Sequence, residues 1–205
     1  MKIIRNQYSS LREKAFNPDY LQDLQKAILY SPYLGANQLS ESFRNTKGFS
    51  VVFKAAGIEQ VKQHFPFLQP YLQATLKPTC NAFYLNHLIL QGGGDVKRHV
   101  DCSISSYVES HTIPLVVSVL YVKIPEDLEG GELLLQKGSF TIQTIKPQEN
   151  SLLYFQGNLT HSVNQVKTSQ VRMSLVCEQY ALDSAKLKKI PEFKIEFNSL
   201  SFAYQ

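Results

Sequence analysis

From Cys80 onward the chain is a succession of short runs rich in β-branched and aromatic residues. They are Ala82–Leu90, Ile113–Val122, Glu132–Gln136, Phe140–Ile145, Ser151–Phe155, His161–Val166 and Val171–Gln179. Turn formers separate them: Gly92-Gly93-Gly94, Pro125-Glu126-Asp127, Gly130-Gly131, the stretch from Pro147 to Asn150, and Gly157-Asn158. A short strand buries its apolar side chains only when it is paired and covered, so a series of them must close into a sandwich or barrel. The spacing predicts a mainly β fold with flanking helices, an α+β chain whose helices come from the N-terminal third. No internal repeat or low-complexity stretch interrupts it.

The first 79 residues read differently. Asn17-Pro18 is a helix start, a capping side chain followed by a residue with preset φ. Tyr20, Leu21, Leu24, Ala27 and Ile28 then recur at three and four, and Ser31-Pro32 ends the helix. Phe49–Phe53 is a short β-like run, and Ile58–His64 and Phe67–Leu76 resume helical spacing around Pro66. We divide the chain into a helical and mixed region, 1–79, packed on a core, 80–182, followed by a tail, 183–205. The tail carries Lys186, Lys188 and Lys189 and then the alternating Phe193, Ile195 and Phe197, which suits an edge strand or a covering segment.

Composition excludes several classes. With 43% hydrophobic and 19% charged residues in 205, the chain can bury a core and is not disordered. The net charge of +4 is spread without a Lys/Arg block, so no nucleic-acid partner is expected. No apolar run approaches the ~18 residues of a membrane span, and Met1–Asn6 lacks a signal peptide's apolar stretch. Three cysteines, Cys80, Cys102 and Cys177, form neither an even framework nor a CxxC pair, and the expected compartment is the reducing cytoplasm.

The chemistry concentrates in His99-Val100-Asp101, His161, Arg172 and Ser174. In an extended segment, residues i and i+2 face the same side, so His99 and Asp101 can present an imidazole and a carboxylate to one point. With His161 from another strand, two imidazoles and a carboxylate occupy one face of an octahedron and leave three positions open, as in non-haem Fe(II) oxygenases. In Val171–Gln179, Val171, Met173, Leu175 and Cys177 make one face apolar while Arg172, Ser174 and Glu178 take the other. A buried guanidinium needs an acid. A carboxylate of the chain such as Glu178 is one candidate; a dicarboxylate ligand, held bidentately with help from Ser174, is the other.

In their order along residues 80–182, Arg98-His99-Val100-Asp101, Leu120-Tyr121-Val122, Gly130-Gly131-Glu132-Leu133, Lys146-Pro147, Leu153-Tyr154-Phe155, His161-Ser162-Val163 and Arg172-Met173-Ser174 resemble the 2-oxoglutarate- and Fe(II)-dependent dioxygenases of the prolyl-4-hydroxylase-like branch. The resemblance implies a double-stranded β-helix core of the jelly-roll or cupin type. It implies that His99, Asp101 and His161 bind iron, that Arg172 holds the distal carboxylate of 2-oxoglutarate, and that Tyr121 and Ser174 assist. It further implies Fe(II), 2-oxoglutarate and O2 as reactants, ascorbate as a possible reductant, and hydroxylation of an unactivated C–H bond with release of succinate and CO2. Relatives that halogenate carry a small residue where Asp101 stands, so Asp101 favours hydroxylation. The implied substrate is an amino-acid side chain, free or in a peptide, with proline the first guess. A small-molecule tailoring oxygenase and a non-catalytic cupin-like binding module are the other readings.

The chain departs from the family at Ile89, where a tyrosine is common, leaving Tyr84 or Asn86 to support the cosubstrate. Asn150 replaces a glycine after Lys146-Pro147, which Asn tolerates because it accepts left-handed φ. The loop from Tyr121 to Gly130 is short. Other residues take bland readings. His64, His87 and His111 are satisfied polar groups, and Tyr121 has packing as its alternative. Cys102 points away from the metal by alternation, and Gly92–Gly94 is a flexible loop bordering the site. Lys97 and Arg98 either meet an acidic substrate group or are solvated.

Overall fold

A computed structural model describes residues 3–36 and 42–197 of the chain. The N-terminal region contributes β1 (Ile3–Arg5), β2 (Ser9–Arg12), α1 (Pro18–Leu29), β3 (Gly35–Ala36), β4 (Phe43–Lys54), α2 (Ile58–His64) and α3 (Gln69–Thr75). Then come β5 (Ala82–His99), α4 (Ser105–Val108), β6 (Val116–Lys123), β7 (Glu129–Gly130), β8 (Leu133–Lys137) and β9 (Phe140–Ile145). The chain continues through β10 (Leu152–Gln156), β11 (Thr160–Val163), β12 (Val166–Lys167), β13 (Arg172–Tyr180), α5 (Ser184–Lys189) and β14 (Phe193–Glu196).

Twelve of the described strands pair antiparallel in one large curled sheet ordered β1-β2-β10-β6-β13-β5-β11-β8-β9, with β4 on β5 and β3 and β14 on β4, while β7 and β12 form a separate pair. This is the mainly β jelly-roll arrangement expected. The curl has a local cause in β5, which is far longer than Ala82–Leu90. Its first half pairs β13, Arg172 opposite Leu90, and its second half pairs β11, Val163 opposite Val96 and His161 opposite His99. The change of partner falls at Gly92–Gly94. These glycines lie within the strand, not in a flexible loop. Gly93 has φ +83°, and a Cβ on Gly92 or Gly94 would sit 2.6 Å from the Thr168 carbonyl oxygen or 2.9 Å from that of Asn45. Only a residue without a side chain lets three backbones approach this closely where a strand bends between partners.

Alternation along the central strands separates two interiors. Leu85, Ile89, Met173, Leu175 and Cys177 face a core shared with Leu21, Leu24 and Ile28 of α1 and with Val61, Leu68 and Leu72. Leu88, Leu90, Val96, Val119 and Tyr121 face the inside of the curl with Leu133, Leu135 and Val163. Asn17 caps α1 by accepting the Asp19 N–H at 2.8 Å, and Gln25 donates to the Val122 carbonyl at 2.8 Å. Asn150 adopts φ 60°, as the Lys-Pro turn requires. Its side-chain amide exchanges two 2.8 Å bonds with the Phe16 backbone, clasping the N-terminal region to the turn beside β6. Of the C-terminal tail, β14 pairs β4 as an edge strand, Phe193 opposite Phe53; residues 198–205 lie outside the described range. Among the described residues no helix is long and apolar enough to cross a membrane.

Candidate active site

The interior of the curl holds a cavity of about 510 Å3. His99 is the last residue of β5, and its Cα partner His161 lies on β11. The strand ends at His99, so Asp101 reaches the site from the turn that follows, not by strand alternation. The ligand atoms of His99, Asp101 and His161 all lie within 4.8 Å of one another. His99 Nε2 is 3.3 Å from Asp101 Oδ1 and His161 Nε2 is 3.5 Å from Oδ2. Each imidazole turns its other nitrogen to a backbone carbonyl, His99 Nδ1 to Lys97 at 2.8 Å and His161 Nδ1 to Leu159 at 3.2 Å. A carbonyl only accepts, so Nδ1 carries the proton and both Nε2 lone pairs face the carboxylate. That is the orientation of metal-binding imidazoles.

The electrostatics agree with a cation site. Burial resists ionisation of Asp101, but the neighbouring imidazoles outweigh it and hold the carboxyl below its usual value. Burial also resists protonation of both rings. At His99 it loses to Asp101, and the pKa rises; at His161 it prevails, and the pKa falls.

Arg172 opens β13 and is 2% exposed. Its guanidinium carbon lies 5.2 Å from the ring centroid of Tyr121, which β6 supplies opposite Ser174. Burial lowers its pKa, opposed only by Tyr121. Arg172 Nε and Nη1, the Tyr121 hydroxyl, the Ser174 hydroxyl and Asp101 Oδ2 are all buried without a hydrogen-bond partner. Buried polar groups are almost always paired, so five such atoms along one cavity mark the place of a polar ligand. A dicarboxylate and a divalent cation fit this set: the guanidinium, phenol and hydroxyl donate to an anion, and the carboxylate and two imidazoles accept a metal. Glu178 is not the partner of Arg172, since its carboxylate accepts from the Ser103 N–H at 3.0 Å and from the hydroxyls of Ser103 and Tyr180.

All six residues singled out in the sequence therefore line one cavity, and Val100, Val163 and Val176 beside them keep it apolar. Asn86 also lines it, whereas Tyr84 donates to Glu196 at 3.3 Å and Ile89 faces the other core. Cys102 belongs to the lining as well, contrary to the alternation argument, because the strand has ended before it. The remaining histidines lie elsewhere. His64 shares a 2.8 Å bond with Tyr33, His87 stacks on Phe49 at 3.9 Å, and His111 is exposed. Arg98 donates to the Gly138 carbonyl. Phe43, whose ring stands 5.5 Å from that of His99, and Glu178 escaped a functional reading. Glu178 was within reach of one, being in phase with Arg172 and Ser174.

Residues 83–177 match the family model described as the 2OG-Fe(II) oxygenase superfamily. No curated protein matches the chain by sequence. Among solved structures it is similar to a Pseudomonas putida prolyl-4-hydroxylase, at 15% identity and TM-score 0.57, over 86% of this chain and 95% of that one. It is also similar to a prolyl hydroxylase from Trichoplax adhaerens in complex with a hypoxia-inducible-factor oxygen-degradation-domain peptide fragment, at 14% identity and TM-score 0.56, over 86% and 84% of the two chains. A viral collagen prolyl hydroxylase from Paramecium bursaria Chlorella virus-1, solved with 2-oxoglutarate, aligns at 16% identity and TM-score 0.52, over 86% and 98%. With the matched segment spanning β5 to β13, the protein carries a 2OG-Fe(II) oxygenase domain and is a dioxygenase that uses Fe(II) and 2-oxoglutarate.

Proposed function

We propose that the cavity hydroxylates an unactivated C–H bond of an amino-acid residue, peptidyl or free, with proline the first candidate. The observation supporting this reading is the pair of unsatisfied polar sets in one cavity, a three-ligand cluster and a buried guanidinium with its phenol and hydroxyl. His99, Asp101 and His161 hold the iron, and Arg172, Tyr121 and Ser174 hold the far carboxylate of 2-oxoglutarate. Bound iron and cosubstrate activate dioxygen, with succinate and CO2 as by-products and ascorbate as an auxiliary reductant.

The rest is the chain's own work. The carbonyls of Lys97 and Leu159 keep both imidazoles in the ligating tautomer. Val100, Val163 and Val176 exclude water, which strengthens the Arg172 contact and protects reactive species. In this reading residues 80–182 are the catalytic core, the described part of 1–79 buttresses it, and the described part of the 183–205 tail, up to 197, covers its edge. The three free cysteines suit a reducing cytoplasm. Peptide binding by the Trichoplax relative supports a peptide as the partner here.

The test is an anaerobic titration with Fe(II) and 2-oxoglutarate, then mass spectrometry over peptide and free-amino-acid libraries with ascorbate. A visible charge-transfer band, succinate and a +16 Da product are expected. No band and no succinate across the libraries would sink the proposal.

A further inference from the structure

The alternation that sends Arg172 and Ser174 into the cavity sends Glu178 there too, at the opposite end of β13 from Arg172. Glu178 is 4% exposed. The Ser103 N–H, the Ser103 hydroxyl and the Tyr180 hydroxyl hold its carboxylate in one orientation. All three donors are neutral. Burial and the nearby Asp101 charge push the carboxyl up to about 8, as expected where no cation stands beside it to favour the charged form. Apart from the His99/Asp101/His161 cluster and Arg172, Glu178 is the one Asp, Glu, Lys, Arg or His lining the cavity among the described residues. Ser103 is bonded to it, and Ser42, Phe43, Asn86 and Ser106, all uncharged, also line the cavity. A substrate carboxylate entering here would find no cation, since Arg172 serves the cosubstrate. A basic amine would meet a fixed, buried carboxyl group that can pass it a proton and pair with the ammonium formed.

Resting on the oxygenase reading above, we propose that Glu178 reads a basic amine of the substrate, which carries no free carboxylate next to that amine. An N-terminal prolyl residue satisfies both this rule and the reading above, and so does an amine-bearing small molecule. A free α-amino acid does not, because its carboxylate would be desolvated without a partner.

The experiment uses the full chain with Zn(II) and N-oxalylglycine in the site, probed by ligand-observed NMR. The probes are a fragment set with equal numbers of size-matched amines, neutral compounds and acids. Amines should dominate the hits, each should bind at least ~10-fold better than its own N-acetyl derivative, and Glu178→Gln should erase that difference while neutral fragments bind unchanged. Hits spread evenly over the charge classes, hits dominated by acids, an absence of amine hits, or amine hits indifferent to Glu178→Gln would overturn the proposal. If Glu178→Gln does not fold, the wild-type comparison of each amine with its N-acetyl derivative decides alone. An anaerobic Fe(II)/2-oxoglutarate titration of the same protein separates the two readings. A missing charge-transfer band removes the oxygenase reading, whereas an intact band without amine preference removes only this inference.

Discussion

His99 and His161 are direct partners across the β5–β11 pairing, with ring centroids 4.4 Å apart and the Asp101 carboxylate within 3.5 Å of both Nε2 atoms. Two antiparallel strands thus hold two imidazoles at a separation set by the sheet, and the turn after β5 needs only to bring one carboxylate between them. Backbone carbonyls orient both rings. A metal would find its ligands in place and pay little ordering entropy.

His161→Ala should lower Co(II) or Fe(II) affinity by about 100-fold or more, since even outer-sphere partners of ligating histidines are worth ~10–100-fold. Anaerobic metal titration measures it directly. Arg172→Ala should leave metal affinity within about threefold and weaken 2-oxoglutarate instead. Equal losses in the two variants would contradict the division of roles.

In the ligand-free protein, Arg172→Met should be neutral or stabilising by about 1–4 kcal/mol, because it replaces a buried, uncompensated charge with an apolar chain of similar length. Urea unfolding of the two proteins without cosubstrate is the measurement. The same variant should still gain stability from metal but little more from added 2-oxoglutarate, whereas the wild type should gain from both. A loss of several kcal/mol in the ligand-free state would mean that the guanidinium has a protein partner.

His87 predicts an acid-sensitive core. Burial against Phe49 pushes its pKa down from 6.5 to about 3, and its Nε2 has no partner. The unfolded chain binds the proton more tightly, so this residue's contribution is complete above pH ~6.5 and falls as pH drops toward 3, by up to about 1.4 kcal/mol per unit. Glu178, raised to about 8, acts in the opposite sense at higher pH: the folded state there holds a proton that the unfolded one releases. The difference in stability between wild type and His87→Phe, followed from pH 7 to 4, isolates the histidine. A difference flat with pH would exclude this account.

Gly130→Ala should cost about 3 kcal/mol or more, and Gly138→Ala only about 1. Both glycines have positive φ, +74° and +60°. A Cβ on Gly130 would lie 2.1 Å from the Gln165 carbonyl oxygen at the β7–β12 pairing, whereas one on Gly138 meets nothing within 4 Å. Paired denaturation curves test the ranking, and similar costs for both would refute the crowding argument.

Much of the site was legible because its signals are local. His99-Val100-Asp101 is a contiguous motif, and the phase of Arg172 and Ser174 against Met173 and Leu175 is visible in a single strand. The α1 cap at Asn17 and the left-handed Asn150 are likewise properties of a few neighbouring residues. Other features escaped for an equally physical reason. Gly92–Gly94 looks like a loop in isolation, but it is strand because three backbones close around it. Cys102 was assigned by alternation continued past the point where the strand ends. β1 and β2, with Ile3 and Ile4 exposed, have too weak an apolar pattern to announce strands; β2 exists through pairing with β10, and β1 through pairing with β2.

Strand periodicity and residue chemistry are written in adjacent positions, so the sequence by itself determined which side chains share a strand face and which can bind a metal or a carboxylate. Only the tertiary structure decided that β5 changes partners midway, from Arg172 on β13 to His161 on β11, and that Glu178 faces the same cavity with Ser103 and Tyr180 as its partners. Those relations depend on pairings between segments far apart in the chain, and no local pattern encodes which strand a given edge will meet.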